Sequence, residues 1–317
     1  MNTLSQRTRR TAKRAFTLIE IMVATVIMIV LVGLVIQITS EVLKVWTRSS
    51  GKLSANAEAR IAMDMITQDL ETAVFRNNGQ QWLRVDGPEP LAAGAPYTSQ
   101  TVALKLFTAA LDRDKFEPGV VDSEGKPIPI PGDICGVAYR LAYQESYDQT
   151  GVAADDRVSV YALYRAVERA DDTFDDLMGS SSDTASPQLI LDDSGPTFWT
   201  EAEITAADNY LVSNIVDFKV LIYENDPTAT STVPVNVDAN FELSGDYAYG
   251  GTGATLTGGS QLPLLYADIM LTVVSDTGLN MLDNLGKIPE SAAEIVQQHG
   301  DTTPYLHQKP DLVLIRK

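Results

Sequence analysis

KRAFTLIEIMVATVIMIVLVGLVIQI, residues 13–38, decides how the rest of the chain is read. Five basic residues, Arg7, Arg9, Arg10, Lys13 and Arg14, lead into it, with no acid among them. From Phe16 to Ile38 the side chains are apolar except at Thr17, Glu20, Thr25, Gly33 and Gln37. A helix of these 23 residues is roughly 35 Å long, enough to span a hydrocarbon core. A secretory signal has a shorter apolar core followed by a small-x-small cleavage site. Here the run is longer and no clear site of that kind follows it. The positive-inside rule puts the leader in the cytoplasm and the residues beyond about 40 outside. Lys44 and Trp46 then lie near the outer interface. Glu20 is the odd residue. A carboxylate in hydrocarbon is expensive unless something compensates it, and a plain anchor has no use for it.

The order of basic leader, Ala15-Phe16 junction, Thr17-Leu18-Ile19-Glu20 and long apolar helix resembles the class III signal of type IV pilins and of the pseudopilins of type II secretion. The resemblance implies cleavage by a prepilin peptidase between Ala15 and Phe16, and N-methylation of Phe16. It also implies assembly through Glu20, which pairs with the Phe16 amine of a neighbouring subunit. Opposite charges in a low-dielectric medium offset each other's burial cost. Ala15 stands where the family usually has glycine, and no proline interrupts the helix near Gln37. The implied partners are other pilin-like subunits, the peptidase and inner-membrane lipid. The implied location is the bacterial inner membrane, with the C-terminal domain in the periplasm and later extraction into a periplasmic or surface filament.

The apolar pattern continues past the interface. Met63, Ile66, Leu70 and Val74 recur at steps of three and four and mark one helix face. Asp64, Gln68, Glu71 and Thr72 lie away from it, while Ala57, Ala59, Ala62 and Ala73 add helix propensity. Ser49-Ser50-Gly51 weakens the join. The expectation is a leader over 1–15, a long helix over 16–76 that spans the membrane to about 38, and an extracytoplasmic domain over 77–317. The second half of the helix is expected to pack on a sheet, the lollipop shape of pilins.

Alternation marks strands around Val102–Leu106, Val137–Tyr143, Val158–Tyr164, Val216–Ile222 and Ala267–Val273. No crossover helices separate them, so the fold class expected is α+β with a mainly antiparallel sheet. Residues 86–100, 168–200 and 225–262 are poor in core formers and read as surface insertions. Pro289–Gln298 reads as a short helix closed by Gly300, and residues 311–316 as a final strand. The strands Val137-Ala138-Tyr139-Arg140-Leu141, Leu163-Tyr164-Arg165 and Val216–Tyr223 are similar to those of J-type minor pseudopilins. Gln37-Ile38-Thr39, Trp46, Ser49, Lys52, Ala59-Arg60 and Asp69-Leu70 look like the Verru_Chthon cassette protein C prepilin-like group.

Composition narrows the function classes. The net charge is −18, and with the basic leader set aside the remainder is about −23. So acidic a body disfavours nucleic acid as a partner. A single cysteine, Cys135, forbids an intramolecular disulfide and reads as a small core residue. One Cys with His299 and His307 does not supply a usual zinc pattern. No Walker loop, G-x-S-x-G, H-E-x-x-H or C-x-x-C occurs, and no catalytic residues or cofactor are expected. The acids Asp171, Asp172, Asp175 and Asp176 form a weak calcium candidate without EF-hand spacing, set against a solvated loop. Two function classes remain: a non-enzymatic structural subunit, minor pseudopilin or pilin-like, and a single-span anchored envelope domain with its own ligand or chemistry.

Overall fold

The computed structural model describes residues 17–76, 81–89, 91, 101–110, 115–130, 132–145, 159–178, 191, 196–225, 227, 234–236, 245–250, 259–260, 262–275 and 312–316. The chain divides into two compact units, Met1–Ser50 and Gly51–Lys317. Helix α1 (Leu18–Glu71) supplies the described part of the first unit and opens the second.

In the first unit every described side chain is exposed, from Leu18 to Trp46 and beyond. The apolar window has a mean hydropathy of 2.9 and is long enough to cross a membrane. A helix suits that solvent because it satisfies its backbone groups internally. No proline falls between Leu18 and Glu71. The expected weakness at Ser49–Gly51 does not break the helix. Each such residue costs only about 0.5–1 kcal/mol against alanine, too little to interrupt flanking turns.

In the second unit Ala55, Ala59, Ala62, Ile66 and Asp69 form a buried stripe on α1, with Met63 beside it. The spacing of four and three keeps them on one face. Ala59 and Ala62, read from sequence as propensity residues, are therefore core, whereas Leu70 and Val74 of the expected face are only partly buried. The helix ends at Glu71 and not at 76. Past that point the backbone is captured by strand β2 (Thr101–Thr108). Ala73 bridges Thr108, and the Val74 N–H donates to the Phe107 carbonyl at 2.8 Å.

All five expected strands form, and others join them. The larger sheet has the order β10-β9-β1-β2-β5-β6-β7: Gly259–Ser260, Tyr247–Tyr249, Leu83–Glu89, β2, Cys135–Glu145, Ser159–Val167 and Tyr210–Ser213. Its pairs are antiparallel except β9 with β10. A second sheet has the order β12-β11-β8, with β8 at Ile215–Glu224, β11 at Leu264–Val274 and β12 at Leu312–Arg316, all antiparallel. The expected final strand is β12. The chain passes from one sheet to the other through Asn214, which adopts the left-handed conformation at φ 63°. Its N–H donates to the Tyr161 carbonyl, and its own carbonyl accepts from the Val274 N–H. A small hairpin, β3 (Phe116–Val121) with β4 (Pro127–Pro129), forms a separate two-stranded sheet.

The expected surface insertions contribute to the core, which corrects the sequence reading. From residues 168–200 come Ala170, Leu177, Leu191, Phe198 and Trp199, all buried. Trp199 meets Phe107 edge-on at 5.7 Å. Gly136 of β5 makes room: a Cβ there would lie 2.5 Å from Leu177 Cδ1 and 3.3 Å from Trp199. Strand β2 is consequently buried along its whole length, and not on one face alone. From residues 225–262 come buried Tyr247, Ala248 and Asn236. The Asn236 amide donates to the Val220 carbonyl at 2.7 Å and accepts from the Ile222 N–H at 3.0 Å. It thereby occupies part of the free edge of β8, a position that otherwise invites pairing with another chain. From residues 86–100, β1 takes the first four. Cys135 is buried and forms no disulfide. The expected helix over Pro289–Gln298 lies outside the described residues.

Candidate functional site

The start of α1 is built by Thr17 and Glu20. Glu20 Oε2 accepts from the Thr17 backbone N–H at 2.9 Å and from Thr17 Oγ1 at 2.9 Å. Thr17 Oγ1 accepts in return from the Glu20 N–H at 3.3 Å. This is a capping box, in which the N-cap threonine and the acid three residues on satisfy each other's exposed amides. The T-x-x-E signal was legible in Thr17-Leu18-Ile19-Glu20, but the sequence reading took Glu20 only as a group awaiting an external amine. Glu20 thus has a use inside its own chain. Among the described residues Oε1 has no partner. Glu20, Ile21, Ala24, Thr25 and Met28 line a shallow open groove on this helix. Ala15 and Phe16, the expected processing and methylation residues, lie outside the described residues.

A second constellation ties α1 to the larger sheet. Tyr139 and Arg165 sit opposite each other on β5 and β6 and so share a face. Arg165 grips Asp69 of α1 with two bonds, Nε to Oδ2 at 2.8 Å and Nη2 to Oδ1 at 3.1 Å. The Tyr139 hydroxyl donates to Asp69 Oδ2 and lies 2.9 Å from Arg165 Nε. Thr108 Oγ1 donates to the Asp69 carbonyl at 2.8 Å. Asp69 and Arg165 are 2% and 8% exposed, which makes each charge dependent on the other. Burial pushes the Tyr139 hydroxyl well above its ordinary range, and the Asp69 charge adds to this while Arg165 opposes it. Sequence reading noted Asp69, Tyr139 and Arg165 in three separate places. Their convergence was not legible, because no pattern along the chain says which residues meet across the fold.

The opposite face of the sheet carries a second charged group. Lys105 of β2 bonds Asp86 of β1 at 2.8 Å, and Arg84 bonds the same carboxylate. Arg84 also reaches Asp246 at 3.0 Å. These residues alternate with the apolar Leu83, Val85, Leu104 and Leu106, so the group lies on the other face of the paired strands, where it too is buried.

The calcium candidates do not converge. Asp171 and Asp172 are held by Arg169, at 2.9 and 3.0 Å, and Asp175 and Asp176 follow in one π-helical turn. Burial raises the Glu168 carboxyl, with Asp172 and Asp176 adding to the shift. Among the described residues no group of three or more His, Cys, Asp or Glu side chains comes together as a metal site would need. In comparison with known proteins, no family model, no curated protein and no solved structure matches this chain.

Proposed function

We propose that the chain is a pilin-like structural subunit, assembled through its N-terminal helix into a filament of the type II secretion or type IV pilus kind. The observation that carries this reading is a carboxylate in the first turn of an exposed apolar helix, with one oxygen engaged by Thr17 and the other without a described partner. In lipid that free oxygen is costly, and an amine from a neighbouring Phe16 would take it. The groove beside Glu20 contains the small residues Ala24 and Thr25, which permit close helix approach. The basic leader and Ala15-Phe16 junction supply the cleavage step, and the partners are other pilin-like subunits, the prepilin peptidase and membrane lipid.

The capping box favours a second reading, a single-span anchored envelope domain, because it gives Glu20 a purely internal use. Glu20→Gln separates the two. Glutamine preserves a capping box but carries no charge. Under the assembly reading Glu20→Gln and Glu20→Ala both reach the membrane, are cut before Phe16, and lose co-purification with sister subunits. Normal association by both variants would overturn that role. Mass spectrometry of membrane-extracted protein should find N-methylated Phe16 as the first residue. Only Met1-starting protein in cells with active peptidase would defeat the reading, and Ala15→Trp should block the cut.

A further inference from the structure

A primary amine and a carboxylate meet inside the larger sheet where β1 lies beside β2. Lys105 Nζ is 2.8 Å from Asp86 Oδ2, with 1% and 8% of the two side chains exposed. Arg84 Nε takes the other oxygen, Oδ1, of the same carboxylate. Arg84 Nη2 reaches on to Asp246 Oδ2 at 3.0 Å, and Asp246 Oδ1 accepts from the Gly87 N–H at 3.2 Å. Both strands are interior to the sheet, β1 flanked by β9 and β2 by β5, so the backbone under the pair is held from both sides. The residues opposite are small and fully buried: Ala103 faces Asp86, and Ala138 faces Lys105. Two groups fixed in contact in this way react as though present at very high concentration. The interior also favours their condensation product. Burying an ammonium beside a carboxylate incurs a desolvation cost that their attraction need not return. An amide in their place carries no charge. It leaves Arg84 with Asp246 as counter-charge and with the new carbonyl oxygen as acceptor.

From this we propose that Lys105 and Asp86 condense to an amide, a cross-link that the chain forms by itself between β1 and β2. A proton passes from Nζ to Oδ2 along the 2.8 Å contact. The nitrogen lone pair then attacks Cγ and forms the N–C bond. The negative charge that develops on Oδ1 faces the Arg84 guanidinium, which stabilises it as an oxyanion. The Cγ–Oδ2 bond breaks, and Oδ2 leaves as water with a second proton from the nitrogen. Nothing is oxidised or reduced, and no co-reactant enters. Of the two cations on Asp86, only lysine can supply the nucleophile, because a guanidinium does not give up its proton in proteins. The cross-link does not rest on the assembly reading; it would form equally in an anchored envelope domain.

The test is the intact mass of the folded, full-length chain in mild detergent, read against its determined N-terminus. The expected mass is one water below that of the sequence. Lys105 should then resist trypsin, so that Val85–Arg113 emerges as one peptide. Cutting that peptide after Glu89 with a glutamate-specific protease should leave its two pieces joined. Lys105→Arg keeps a cation on Asp86 but forms no amide, and should show the full mass with ordinary cleavage. Full mass and normal cutting after Lys105 in the folded parent chain would overturn the proposal. So would a missing water that persists in Lys105→Arg or maps to residues other than 86 and 105. Should Lys105→Arg fail to fold, the joined or separated pieces of the parent peptide still decide.

Discussion

Asp69→Asn is expected to cost a large part of the stability of the second unit. The change is nearly isosteric, so packing around α1 is retained. What it removes is the charge that balances Arg165, itself 8% exposed. Arg165 makes two bonds, at 2.8 and 3.1 Å, to that carboxylate. Removing one partner of such a pair strands the other charge in the interior, at a cost of about 3–5 kcal/mol. The amide oxygen still accepts one bond, which places asparagine toward the lower end. Replacing both partners with apolar groups of similar volume, Asp69→Leu with Arg165→Met, removes the stranded charge as well. That double variant should lie within about 1–2 kcal/mol of the parent, the residual being the Tyr139 hydroxyl left without its acceptor. The assay is urea and thermal unfolding of the full chain in mild detergent, followed by fluorescence of the buried Trp82 and Trp199. The single change should lower the thermal midpoint by about 6–15 °C, given about 2–4 °C per kcal/mol for a domain of this size class. A loss below about 1 kcal/mol for Asp69→Asn, or additive effects in the double variant, would refute a buried, interdependent ion pair.

Gly136→Ala should cost about 1–3 kcal/mol, because the new Cβ would lie 2.5 Å from Leu177 Cδ1; Leu177→Ala added to it should recover part of the loss in the same unfolding assay. Asn214→Val should destabilise and Asn214→Gly should be tolerated, since φ is 63° at this sheet-to-sheet turn; equal melting points would show that the turn is not held there. Tyr139, Tyr164 and Tyr247 are all shifted upward, each mainly by burial. The folded state therefore favours their neutral forms. Their contribution is fully present below about pH 10, where the unfolded hydroxyl begins to ionise, and is lost as pH rises through the folded values. Unfolding free energy measured from pH 8 to 12 should fall only above about pH 10, and Tyr247→Phe should make that fall shallower; a flat profile would contradict the burial of these hydroxyls.

The sequence by itself determined the features that are local. A predominantly apolar run of 23 residues after a basic leader defines a helix long enough for a membrane, because hydropathy and rise per residue are properties of the segment alone. Period-two alternation located β2, β5, β6, β8 and β11, because a pleated strand sends successive side chains to opposite faces whatever its partner. The capping box was equally local and was there to be read. Tertiary structure alone decided which residues meet. The insertions that looked like surface supply Trp199, Leu177 and Tyr247 to the core, since a short apolar run between polar stretches acquires its role only from the cavity it fills. Strand β1 alternates only over Leu83-Arg84-Val85-Asp86 before Gly87-Pro88, too short a run to stand out, and its buried charges are paired with Lys105 on β2 and with Asp246 just before β9. The helix stops at Glu71 because β2 takes over the backbone of Ala73 and Val74, not because the sequence there disfavours a helix. Asp69, Tyr139 and Arg165, separated by 70 and 26 positions along the chain, became one ion-paired joint because three elements happen to converge on them. A buried charge carries no mark of its partner in one dimension; the low-dielectric interior that makes the pairing obligatory exists only once the sheet has closed over the helix.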